Sequence, residues 1–150
     1  MHKIEGNITN RKELLKWGHI HFLEKKALIR LNRNSKMITG GVIEAPDGAN
    51  ILPYFIKNGE HFIVLVAQFR NAVETVTYEA PGGVIKPEED VRESMARELA
   101  EETGVRVNHK DIQIIFKEYL LPSLTNAFGW GGIVQINKND IPRGKEHGMP

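Results

Sequence analysis

The chain has 150 residues, 41% of them hydrophobic, with a formal charge of +1 and no cysteine. That length supports one domain with a core of its own and is short for two, while the lack of cysteine excludes disulfides and thiolate catalysis, leaves any zinc site to histidine and carboxylate, and fits a reducing compartment. No run approaches the roughly 18 apolar residues a membrane span needs and the start has no apolar signal core, so a cytoplasmic protein without a membrane partner is expected.

The charge is unevenly spread. Met1 to Lys36 holds nine Lys or Arg against three Glu, which leaves eleven basic and sixteen acidic residues beyond it. A basic arm attracts polyanions, but this one has no aromatic-plus-arginine platform, so a solvated surface is the preferred reading and nucleic acid is not expected as a partner. Residues 19–31, HIHFLEKKALIRL, carry the alternation of one or two strands. His19 and His21 share a face there, a spacing able to bind a metal, although surface or packing roles are commoner.

From Met37 to Phe69 the pattern reads as an antiparallel meander: MITGGVIEA, a turn at PDG (46–48), ANILPYFIK, a turn at NG, and EHFIVLVAQF. Asn58-Gly59 is the strongest hairpin signal, because a type I′ turn needs positive φ at both central residues. FIVLVA is apolar enough to predict a strand buried on both faces. Next comes NAVETVTYEAPGG, a loop and a short strand ending in a glycine pair suited to close backbone approach. Pro87, the acidic run Glu88-Glu89-Asp90 and Gly104 bound a helix near 87–103. DIQIIFKEYL and GGIVQI follow as two strands, with LPSLTNAFGWG as the loop between them. Phe128 and Trp130 in that loop suit packing or stacking on a base, and Gly129, Gly131 and Gly132 suit a lid or a plain turn. Strands surrounding a central helix give a mixed α/β (α+β) domain.

The helix carries the chemistry. Met95, Ala96 and Leu99 form its apolar stripe, while Glu98, Glu101 and Glu102 cluster in the adjoining arc. Like charges three and four apart cost about 0.2–0.5 kcal/mol per pair. A hard divalent cation with oxygen ligands would offset that cost; a solvated acidic face is what the spacing alone also allows.

The stretch from Gly83 to Val105 resembles the signature of the Nudix hydrolases: Gly83, five residues, Glu89, seven residues, then Arg97-Glu98-Leu99-x-Glu101-Glu102-x-Gly104-Val105. AQFRNAVETVTYEAPGG before it is similar to the entry of the ADP-ribose pyrophosphatase branch. The resemblance implies a Nudix-type α/β/α sandwich with a mixed sheet over residues 37–150, and a basic N-terminal strand extension, 1–36, that serves dimerisation. It also implies a usual C-terminal strand and helix, which this chain reads as lacking after NKNDIPRGKEHGMP. By the same resemblance Glu98 and Glu102 bind the catalytic metal with the Gly82 carbonyl, Glu101 is a further ligand or a group that supports the ligands, and the ion is Mg²⁺, with Mn²⁺ as substitute. Arg97 and Glu89 hold loop to helix, Gly83 permits the bend, Gly104 stops the helix, and Arg70 and Glu79 contact substrate or pair on the surface. The implied reaction is hydrolysis of a nucleoside diphosphate linked to another moiety, ADP-ribose or a nucleotide sugar, by a homodimer. Pro122-Ser123 stands where the ADP-ribose branch has Pro-Gly, so dinucleotides, dinucleoside polyphosphates, coenzyme A and damaged nucleoside triphosphates are the runner-up substrates. A non-catalytic nucleotide- or RNA-binding module is the alternative of a different class.

Overall fold

A computed structural model describes residues 4–32 and 34–142, and shows a mixed α+β chain divided into two compact units. Residues 1–46 and 119–127 make the first unit, 47–118 and 128–150 the second.

The first unit is built on an antiparallel sheet of β1 (Ile4–Trp17), β2 (Ile20–Leu31) and β3 (Asn34–Glu44), in that order. Trp17 pairs with Ile20 across Gly18-His19, and Gly18 takes φ 57° as the tight two-residue turn requires. β1 is exposed along its whole length and β2 buries Leu23 and Ala27. Glu44 ends β3 between Lys25 (2.5 Å) and Arg11 (2.6 Å), and the Lys25 ammonium holds its carboxyl below the usual range. The 119–127 segment joins this sheet through Ile43, whose N–H donates to the Leu124 carbonyl at 2.7 Å. His19 lies in the turn and His21 Nδ1 donates to Glu13 Oε2 at 2.6 Å, so the two histidines do not form a metal pair.

The second unit holds a mixed sheet in the order β5 (Glu60–Ile63), β4 (Gly48–Lys57), β10 (Phe128–Gln135), β9 (Gln113–Tyr119), with β8 (Gly82–Val84) also paired to β4. β4 runs parallel to β10 and antiparallel to β5 and β8. β6 (Val66–Arg70) and β7 (Thr75–Glu79) form a separate two-stranded hairpin. Helix α1 (Val91–Thr103) buries Met95 and Leu99 in a core with Ala49, Ile51, Val105, Ile112, Val134 and Ile136.

Local signals hold well. Asn58 and Gly59 have φ 54° and 80°, and Lys57 pairs with Glu60 across them. Gly104 closes α1 in the left-handed region at φ 75°. Four expectations need correction. The meander fails because β3 and β4 lie in different sheets, β4 taking β10 as its parallel neighbour. The strand expected to be buried on both faces at 62–67 is broken between β5 and β6, and Phe62, Ile63 and Leu65 are exposed. Apolar composition measured their affinity for a core but not whether one was beside them. The helix starts at Val91, after Asp90, which caps it in a capping box with Glu93; Glu88 has φ 64°, outside any helix. Finally, Phe128 to Gly131 belong to β10 rather than to a loop or lid. A Cβ on Gly132 would lie 2.5 Å from Met95 Sδ, and one on Gly131 would run into the Phe116 ring, so these glycines are packing positions.

Candidate active site on helix α1

Three consecutive features position the site. β8 lays Gly82 and Gly83 beside β4, with Gly83 opposite Ala49 and Gly82 opposite Asn50. The loop 85–90 leads into the capped start of α1, and one further turn along the helix come Arg97 and Glu98. Glu98 and Glu102, four residues apart, then share the helix face directed at the glycine pair.

The contacts are close. A Cβ on Gly83 would stand 2.5 Å from Glu98 Oε1, so the absence of a side chain there is what admits the carboxylate. Glu102 Oε2 accepts the Gly82 N–H at 3.0 Å and its Oε1 accepts Gln68 Nε2 at 2.7 Å. Glu98 is 13% exposed, whereas Glu101 is 57% exposed and lines an open groove with Ala96, Ala100, Arg106 and Val107. The three glutamates thus divide: Glu98 and Glu102 meet the glycines and Glu101 turns aside. Among the described residues no group of three or more His, Asp or Glu is gathered as a ready-made metal cage.

Arg97 organises the charges. Its Nε and Nη2 grip both oxygens of Glu89 at 2.8 and 3.0 Å, and its Nη1 reaches Glu98 Oε1 at 2.6 Å and Glu101 Oε2 at 3.2 Å. Nη2 also donates to the Val84 carbonyl and to the buried Ser94 hydroxyl, both at 3.2 Å. The guanidinium, assisted by the Lys86 N–H and the Ser94 hydroxyl, lowers the Glu89 pKa to about 2, and Glu89 followed by Glu98 raises that of Arg97. The Arg97–Glu89 tie between loop and helix agrees with the structural role read from the sequence.

Arg70, opposite Thr75, and Glu79, opposite Val66, stand at the two ends of the β6–β7 hairpin and join in a two-pronged pair at 2.9 and 2.6 Å. Arg70, with the Thr77 hydroxyl as second donor, brings Glu79 to about 2, and Glu79 raises Arg70 in turn. Phe128 and Trp130 present ring faces to the Lys117 ammonium at 4.1 and 4.4 Å.

Two contacts escaped sequence reasoning: Gln68 with Glu102, and Arg97 with Glu98 and Glu101 in addition to Glu89. Period two on β6 places Gln68 and Arg70 on one face, and spacing of one turn places Arg97 beside Glu101; those were the available signals. Chemically, Glu98 and Glu102 offer hard oxygen donors of the kind Mg²⁺ and Mn²⁺ take.

Comparison with known proteins agrees with this geometry. The NUDIX domain family model matches residues 47–125, which takes in β4, the glycine pair and all of α1. The chain is 33% identical over 96 residues to "Putative nudix hydrolase 2" of Caenorhabditis elegans, covering 64% of this chain and 41% of that protein. It is 35% identical over 66 residues to "Nucleoside diphosphate-linked moiety X motif 6" of Homo sapiens, covering 44% of this chain and 20% of that protein. The chain therefore spans less than half the length of these curated relatives. Because the family model covers more than half of the sequence and its match includes the whole carboxylate-bearing helix, the chain belongs to the NUDIX domain family.

Proposed function

We propose that this protein is a pyrophosphohydrolase that splits the diphosphate bridge of a nucleoside diphosphate linked to another moiety, with ADP-ribose or a nucleotide sugar as substrate. One observation carries the reading: Glu98 and Glu102 lie against the backbone of Gly82 and Gly83, Glu98 where a Gly83 Cβ would stand and Glu102 on the Gly82 N–H. The names of the two relatives, a nudix hydrolase and a nucleoside diphosphate-linked moiety X motif protein, support the reaction class, and the QFR stretch before the motif supports the ADP-ribose branch.

In this reading Glu98 and Glu102 hold Mg²⁺ with the Gly82 carbonyl, and Glu101, turned aside, supports the site through its bond to Arg97. The ion, when bound, neutralises the diphosphate and makes a water more acidic. The chain's own groups do the rest. Arg97 fixes Glu98 through Oε1, which leaves Oε2 without a protein donor among the described residues and placed to take the proton of the attacking water. Arg70, half-exposed and held by Glu79, binds a phosphate oxygen. Water adds across the bridge, giving AMP and ribose 5-phosphate from ADP-ribose. The chain is read as a cytoplasmic homodimer; the dimer rests on β1, an exposed edge strand carrying Ile4, Ile8 and Trp17 at 69%, 60% and 75% exposure.

A substrate panel with Mg²⁺ and identified products tests the activity. If ADP-ribose and nucleotide sugars survive while another nucleotide is cleaved, the substrate assignment falls and the reaction class stands. Glu98→Gln is expected to lower turnover at least about 10²-fold, and unchanged turnover removes Glu98 from the chemistry. Light scattering after gel filtration checks the dimer.

A further inference from the structure

The carboxylates of this unit are not all held in the same way. Glu79 is gripped by Arg70, while Glu89, Glu98 and Glu101 all bond to Arg97. Glu102 is different: among the described residues its two oxygens accept only from the Gln68 amide at 2.7 Å and the Gly82 N–H at 3.0 Å, both neutral donors. These donors come from two different elements. Gln68 sits in the middle of the β6–β7 hairpin, and Gly82 opens β8 on the mixed sheet. Gln68 is itself anchored, since it pairs with Thr77 across the hairpin.

A glutamate has three rotatable torsions, and one donor on each oxygen fixes the plane of its carboxylate. Each oxygen still keeps a lone pair after one hydrogen bond. Neutral donors add no positive charge of their own, and the nearby Arg70 acts on Glu102 through charge alone while its hydrogen bonds go to Glu79. We infer that Gln68 is a positioning residue: it holds the Glu102 carboxylate in the orientation that receives a divalent cation, without spending the charge that attracts it. This inference rests on the reading of Glu102 as a metal ligand.

Binding of Mn²⁺ to the metal-free protein, followed through the resonance of the free ion, tests it. Gln68→Ala and Gln68→Met both remove the donor, and the second keeps the side-chain length should truncation unfold the hairpin. Both are expected to raise the Mn²⁺ dissociation constant about 10–100-fold, the usual cost of losing a group that orients a ligand. Saturating metal should then restore most of kcat, which a lost ligand would not allow. Glu102→Gln is the reference. If Glu102→Gln weakens Mn²⁺ binding while both Gln68 variants bind as the wild type does, the positioning role is overturned and Glu102 remains a ligand. If Glu102→Gln binds Mn²⁺ unchanged, Glu102 is not a ligand and both assignments fall.

Discussion

Replacing Glu89 by Gln keeps the shape of the side chain and removes its charge from the Arg97 fork. In the folded protein the Glu89 pKa is lowered from its ordinary 4.5 to about 2, because Arg97 holds both of its oxygens. A depressed carboxylate pKa stabilises the fold above its unfolded value, and that contribution is lost as pH falls from 4.5 towards 2. The full shift corresponds to about 3 kcal/mol as a ceiling, of which roughly 2 kcal/mol is gone by pH 3. Because the Glu89 side chain is only 15% exposed, solvent screening removes little of this. Urea titrations of wild type and Glu89→Gln at pH 7 and pH 3 read the effect. Trp130, packed against the core of the same unit, is the reporter once Trp17→Phe has silenced the exposed indole. Wild type should be the more stable at pH 7, with the gap narrowing by roughly 1–2 kcal/mol at pH 3. Glu79 titrates in the same window in both proteins and cancels from the difference. A gap of constant size from pH 7 to pH 3 would refute the claim that the Arg97–Glu89 pair ties the loop to the helix energetically.

The two glycines should respond differently to alanine. Gly83→Ala meets the end of the Glu98 side chain, which can swing aside, so melting temperature should change little while turnover falls. Gly82→Ala meets the Ala49 carbonyl at 2.5 Å and the Asn50 Cα at 2.8 Å, neither of which can yield alone, and should cost about 1–3 kcal/mol in a denaturant titration. Asp90→Ala removes the cap of α1, and calorimetry should show a loss of about 1 kcal/mol. Leu99→Ala opens the fully buried centre of the core, with an expected loss of about 2–5 kcal/mol and a lower urea midpoint.

What the sequence revealed depended on the reach of each signal. Asn58-Gly59 and Gly104 were readable because a positive φ is a demand the residue itself meets, whatever lies around it. The helix start was blurred because Glu88, Glu89 and Asp90 are three acidic residues in a row; the reciprocal bonds between Asp90 and Glu93 select the cap, and Glu89 is drawn off to Arg97. Residues 60–69 misled because their apolarity carries no record of a partner strand, and they end up shared between two sheets. In the site, the Gly-Gly pair and the glutamates announced themselves as residue types in a spacing. Gln68 did not, since its bond to Glu102 spans 34 residues and follows no local period.

The arrangement also accounts for how α1 tolerates its own glutamates. The five N–H groups of Arg97 are shared among six acceptor atoms, on Glu89, Glu98, Glu101, Ser94 and Val84. A lysine, with three donors on a single nitrogen, cannot serve acceptors spread over a loop, a strand and a helix. One guanidinium nevertheless carries one charge against the three carboxylates it touches, and Glu102 stands apart with neutral partners. The formal balance over Arg97, Glu89, Glu98, Glu101 and Glu102 is therefore −3. Glu89 takes both ends of the Arg97 fork while Glu98 and Glu101 share a single nitrogen, so the uncompensated charge falls on the side of α1 that faces Gly82 and Gly83 through Glu98 and Glu102. Arginine thus fixes the framework of the site while leaving its negative charge concentrated beside the backbone, where a doubly charged ion is the group that would offset it.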